Sequence, residues 1–119
     1  MALVVRVGRG GGARTLSLVA THFDGEGPRA LRLQQLARVV AVAEAERAGP
    51  PERDVVVLGD LNLAPEESAP ALEGAGFARA AVDGIDQIWI GARLRLVEAA
   101  AIPTRGASDH ASLVRATIR

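Results

Sequence analysis

Hydrophobic and polar positions alternate or cluster in a way that predicts about six strands and two helices. Asp54-Val55-Val56-Val57-Leu58 is a short apolar run, which predicts a strand buried on both faces, and it leads into Gly59-Asp60-Leu61-Asn62. Residues two apart on an extended chain point the same way, so Asp60 and Asn62 are expected to project together from that strand's end. An ordinary Asx turn accounts for the same pair. Residues 2–7 are apolar and β-branched, and residues 15–21 alternate Leu16, Leu18 and Ala20 against Ser17, Val19 and Thr21. The two predict a hairpin across the glycine loop at 8–13. Gly8, Gly10 and Gly12 lack the spacing and the following Lys-Ser/Thr of a phosphate loop.

Leu33, Leu36, Ala37, Val40 and Ala43 recur at helical spacing, from Pro28 in the first turn to Arg47, with Gly49-Pro50-Pro51 as the stop. Arg32 and Gln35 share one face of this helix. A short helix is expected over 69–73, capped by Ser68 and stopped by Gly74 and Gly76. Residues 87–90 and 94–100 read as strands joined around Gly91-Ala92, and 111–118 as the last strand. These elements predict a layered α/β or α+β fold with a mixed sheet.

The 119 residues suit a single domain spanning 1–119, and an apolar share of 49% suits a packed core over disorder. The 14 positive charges are all Arg and balance 14 carboxylates. That balance argues against a broad nucleic-acid footprint, as does the scarcity of aromatics: Phe23, Phe77 and Trp89. With no Cys, disulfides and thiolate zinc sites are excluded. No apolar run reaches the ~18 residues of a membrane span, and the first residues lack a signal peptide's pattern. A cytoplasmic location is the default expectation.

The chain has two histidines. His22 follows a strand end, and His110 stands beside Asp109 just before the last strand. Ends of strands converge on one rim of a sheet, where these residues can meet Asp60 and Asn62. Asp86 opens the apolar strand Ile85-Asp86-Gln87-Ile88-Trp89, where a carboxylate is unfavourable without a partner. It is either a turn carboxylate after Asp83-Gly84 or an orienter of His110 that stabilises its imidazolium form.

Thr21-His22-Phe23, Gly59-Asp60-Leu61-Asn62, Ile85-Asp86-Gln87-Ile88 and Ser108-Asp109-His110 stand in an order and spacing that resembles the endonuclease/exonuclease/phosphatase superfamily, the deoxyribonuclease-I-like fold. Arg32 and Gln35 resemble the family's Arg-x-x-Gln. The resemblance implies divalent-metal-dependent hydrolysis of a phosphodiester or phosphomonoester. It makes His110 the general base or transition-state partner, with Asp86 behind it. Asp60 would position the water, Asn62 would hold a phosphate oxygen, and His22 would bind or protonate the phosphoryl or leaving group. Asp109, with Asp60, would be a ligand to Mg²⁺ or Mn²⁺. The substrate would be a nucleic acid, an inositol phosphate or a lipid headgroup.

The resemblance covers nearly the whole chain but only the second half of the family domain, half of a four-layer α/β/β/α sandwich. The first half supplies an Asn and the Glu that is the principal metal ligand. Glu26, Glu66, Glu67 and Glu98 do not stand in a matching context. A chain lacking that half, as in a truncated reading frame starting at Met1, is expected to expose an apolar sheet face. It would then self-associate or bind a partner half. The alternative reading is a catalytically inactive fragment that serves as an interaction module. A nucleic-acid-binding module using Arg9, Arg14, Arg93, Arg95 and Arg105 is disfavoured by the zero net charge.

Overall fold

The apolar run becomes the central strand of a five-stranded sheet in the computed structural model, which describes residues 1–8 and 15–119. In chain order the elements are β1 (Ala2–Val7), β2 (Leu16–His22), α1 (Arg29–Ala48), β3 (Asp54–Asp60), α2 (Pro65–Gly74), β4 (Phe77–Asp83), β5 (Asp86–Gly91), β6 (Leu96–Pro103) and β7 (Ser112–Ile118). The strand order of the main sheet is β1-β2-β3-β5-β4, and β6 and β7 form a separate two-stranded sheet. Only β2 and β3 run parallel, joined by α1; every other pair is antiparallel. The mixed α/β content and layering agree with the expectation of half a sandwich.

One face of the main sheet packs on both helices. Its core unites Val19, Val55, Val57, Trp89 and Phe77 from the strands with Leu36, Val39 and Ala43 of α1 and Leu72 of α2. On the opposite face Val56, Ala80 and Ile90 are buried against residues such as Leu94, Ala116 and Ile118 near the β6–β7 sheet. That small sheet packs chiefly on β4 and β5. Leu3, Val5 and Val7 of β1 pair with Ala20, Leu18 and Leu16, so they share this second face. They remain exposed, Leu3 to 59%. The expected apolar surface is therefore present.

Several details differ from the sequence expectations. Strand β4 was not expected, because its segment Phe77-Ala78-Arg79-Ala80-Ala81-Val82-Asp83 is alanine-rich with a single β-branched residue. Leu94 belongs to a turn, its N–H bonded to the Gly91 carbonyl, and β6 pairs with β7. Helix α2 starts at Pro65, whose missing N–H suits the first helical turn, and Glu67 Oε2 accepts the Ala64 N–H at 3.0 Å. Ser68 is thus a buried residue within the helix and not its cap. In α1, Val39 is buried where Ala37 was expected. The glycine loop of the hairpin, with Arg9 and Arg14, lies outside the described residues. The antiparallel pairing of its two strands is present, from Ala2↔Thr21 to Val7↔Leu16. No helix among the described residues is long and apolar enough to cross a membrane.

The helix-covered face of β2 carries Ser17 and Thr21, polar groups that burial tolerates only with partners. Thr21 Oγ1 donates to the Met1 carbonyl at 2.8 Å. Ser17 Oγ donates to Glu46 Oε2 at 2.8 Å, and Arg6 grips the same carboxylate with two bonds of 2.7 and 2.9 Å. These bonds tie α1 to β1 and β2. The Arg6 and Ser17 bonds hold the Glu46 carboxyl down at about 2, against an ordinary 4.5. Its folded-state value is depressed, so its contribution to stability is present above the ordinary value and is lost as pH falls towards 2. Glu46→Gln should lower the denaturant midpoint at neutral pH, and its deficit relative to wild type should shrink in that acid window. An equal deficit at neutral and strongly acid pH would contradict this.

Candidate active site

Strand register builds the site. His22 at the end of β2 pairs with Asp60 at the end of β3. Asp60 pairs with Asp86 at the start of β5, and Asp86 with Asp83 at the end of β4. Four side chains therefore form one row across the rim, on the sheet face away from the helices. The loop before β7 carries His110 over this row. Thr104 Oγ1 donates to the His110 carbonyl at 2.7 Å, and the His110 N–H donates to Ser108 Oγ at 3.1 Å.

His110 Nδ1 is hydrogen-bonded to Asp86 Oδ2. An ionised carboxylate only accepts, so Nδ1 carries a proton, and in the neutral form of the ring the lone pair is on Nε2, which faces the cavity. That Nε2 lies 3.5 Å from Asp60 Oδ2, and His22 Nε2 lies 3.5 Å from the same oxygen. The other Asp60 oxygen accepts the Asn62 N–H at 2.8 Å. Asn62 has φ 45°, a left-handed conformation that Asn tolerates. So Asp60 and Asn62 form the Asx-type turn, and strand alternation is not what brings them together. Asn62 Nδ2 donates to the Phe23 carbonyl at 2.9 Å, which anchors the loop after His22.

These residues line an open cavity of about 530 Å³ that includes His22, Asp60, Asn62, Asp86, Asp109 and His110. All six residues singled out from the sequence are thus brought together. Asp83 also lines the cavity, and sequence reasoning passed over it as part of a turn. A larger cavity of about 680 Å³ adjoins at His22, but its lining of Met1, Leu3, Ala20 and Phe23 is mainly apolar. The titratable row therefore lines the smaller, acidic cavity.

No family model and no curated protein matches the chain. Solved structures do. Humanized TDP2 from D. rerio, carrying 14 mutations, superposes on 99% of this chain and 57% of its own with a TM-score of 0.68 at 21% identity. An endonuclease/exonuclease/phosphatase family protein from Bacteroides thetaiotaomicron superposes on 90% of this chain and 47% of its own, with a TM-score of 0.59 at 12% identity. The chain shares its fold with part of each of these two structures. It spans about half the length of these two structures.

Within this shared fold, the acidic cavity has the donors for a hard cation. Ligand atoms of Asp60, Asp86 and His110 lie within 4.8 Å of one another. Asp109 lines the cavity but its carboxylate is not one of this group; it is exposed and accepts from Ser108 Oγ at 3.3 Å. Four carboxylates and two imidazoles line the cavity, with no Arg among its lining residues. The Asp86 hydrogen bond, followed by the Asp86 charge, raises the His110 pKa; partial burial opposes the shift, and Asp109 and Asp60 add to it.

A raised folded-state value means that the His110–Asp86 pair stabilises the fold fully below the ordinary imidazole pKa. That contribution is lost as pH rises through the raised value. Asp86→Asn should move the His110 pKa down towards the ordinary imidazole value, read from the ring Cε1–H signal in an NMR titration. A titration curve identical to wild type would show that the pair does not control this histidine.

Proposed function

We propose that the chain carries the hydrolytic edge of a divalent-cation-dependent phosphoesterase, acting on a phosphodiester or phosphomonoester. The observation that carries this reading is the His110–Asp86 pair aimed at Asp60 and His22 across one strand-end row. An acidic cavity repels a phosphate unless a cation intervenes. The donor set is oxygen-rich, which suits Mg²⁺ or Mn²⁺, and Mg²⁺ needs only one or two protein carboxylates. Asp60 would hold the cation, with Asp109 at the exposed side. When bound, it would offset the charge of the phosphoryl oxygens.

The residues of the chain then have distinct tasks. Neutral His110 accepts the proton of the attacking water at Nε2, and Asp86 stabilises the resulting imidazolium. Asp60 Oδ2, between the two imidazoles, orients that water. Asn62 spends one amide hydrogen on the Phe23 carbonyl and keeps the second for a phosphate oxygen. His22, 72% exposed, reaches outward to protonate the leaving oxygen as the P–O bond breaks. A nucleic acid, an inositol phosphate and a lipid headgroup all present this same ester.

A second reading rests on a separate observation. The face bearing Leu3, Val5 and Val7 is apolar and exposed, and Leu113 of β7 is as exposed as Leu3. A surface of this kind is an association site, so the chain on its own would work as an interaction module, pairing with a second copy or a complementary half.

The purified chain should hydrolyse bis(4-nitrophenyl) phosphate with Mg²⁺ or Mn²⁺ and lose that activity in a chelator. His110→Ala should lower kcat by ~10²–10⁴-fold, the usual worth of a general base. Turnover that survives either treatment would overturn the catalytic reading. In light scattering coupled to size exclusion, the wild-type chain should elute above the monomer mass and Val5→Glu should restore the monomer. A monomeric wild-type chain would refute association through this face.

A further inference from the structure

Gln87 is fully buried on the helix-covered face of β5, back to back with Asp86 and with no place in the proposed chemistry. Its amide is nevertheless heavily used. Oε1 accepts Ser68 Oγ–H at 2.6 Å and the Trp89 indole N–H at 2.9 Å, and Nε2 donates to the Leu63 carbonyl at 2.7 Å. The orientation of the amide is dictated by its neighbours, since an indole can only donate and a carbonyl can only accept.

Those bonds fall on both sides of the site. The Leu61 N–H donates to the Ile85 carbonyl at 2.9 Å, and the Leu63 carbonyl accepts from Gln87. Two hydrogen bonds therefore lace 61–63 to 85–87. Asn62 lies at the middle of one segment and Asp86 at the middle of the other. Neither residue touches the other directly in this lacing, so their separation is set by the residues that flank them. Ser68 also ties the first turns of α2 to the same amide.

We infer that Gln87 is a positioning residue, which holds Asn62 at a fixed distance from the Asp86–His110 pair by clamping the Leu63 carbonyl. The inference rests on the phosphoesterase reading for its catalytic consequence, but not for its structural one. A buried amide with three bonds, on a strand face it shares with Trp89, is unfavourable to keep unless each bond is made. An apolar residue at this position would fill the space without fixing the loop.

Gln87→Glu separates the clamp from the rest of the network. Read at alkaline pH, where the side chain is ionised, the carboxylate still accepts from Ser68 and Trp89 but sets an oxygen against the Leu63 carbonyl. Hydrogen exchange followed by NMR should show the Leu61 and Asn62 amides losing protection by about tenfold or more, a local opening. Protection at Val19 and Val57 should hold, and the indole signal of Trp89, the one tryptophan of the chain, should stay in place. Ser68→Ala gives a milder version of the same pattern if the Glu variant does not fold. Unchanged exchange at Asn62, or a uniform loss across the sheet, would overturn the clamp whether or not the chain is an enzyme.

With an active protein, Gln87→Glu should lower kcat as Asn62→Ala does, and the double variant should fall no further than the lower single. Additive losses would overturn the positioning role. An inactive wild type with selective exchange at Asn62 would count against the phosphoesterase reading and leave the clamp supported.

Discussion

The close approach of β2 to β3 at their C-terminal ends is the constraint on which the rest of the structure depends. Gly59 pairs with Thr21 at φ 140°, and a Cβ there would lie 1.8 Å from the Thr21 carbonyl oxygen. Only glycine permits that approach. The next register pair is His22 and Asp60, and the row continues to Asp86. A slip of one residue would turn every one of these side chains to the other face of the sheet. The pairing that buries Val55 and Val57 against the helices is thus the same pairing that lifts His22 and Asp60 out of the core.

This arrangement sets the electrostatics. Asp60 shares one oxygen between two imidazoles and gives the other to the Asn62 amide, while Asp86 is committed to His110. Asp60 and Asp86 are thereby held in place, with Nε2 of His110 facing Asp60 Oδ2 at 3.5 Å. The excess of carboxylate in the lining makes a bare anion unwelcome, and that is the ground on which we propose a divalent cation here. The exposed face of β1 lies beside this rim, since Leu3 pairs with Ala20, two residues before His22 in β2. A molecule seated on that face would also border the rim.

Much of this could be read from the chain. The β-branched runs marked β1, β3 and β7, and the motifs around His22, Asp60, Asp86 and His110 marked the rim, because strand ends meet wherever the strands do. What stayed hidden depended on distant partners. The alanines of β4 show no β propensity, and only pairing with β5 makes them a strand. Ser68 has the chemistry of a cap, yet Pro65 starts the helix earlier and Gln87 claims the hydroxyl. Ser17 and Thr21 share a strand face with Val19, and only the fold reveals Glu46 and the Met1 carbonyl as the partners that satisfy them there. Asp83 gained significance only through its register with Asp86.

The most direct test of the central claim is to follow Mn²⁺ binding by paramagnetic broadening in the ¹⁵N–¹H spectrum of the chain. A cation held by the strand-end row should broaden the amide signals of 60–62, 86–87 and 109–111 first, and Asp60→Asn should abolish that selectivity. Broadening centred on another part of the surface, or spread evenly over the exposed carboxylates, would contradict the assignment of this rim as the cation and phosphate site.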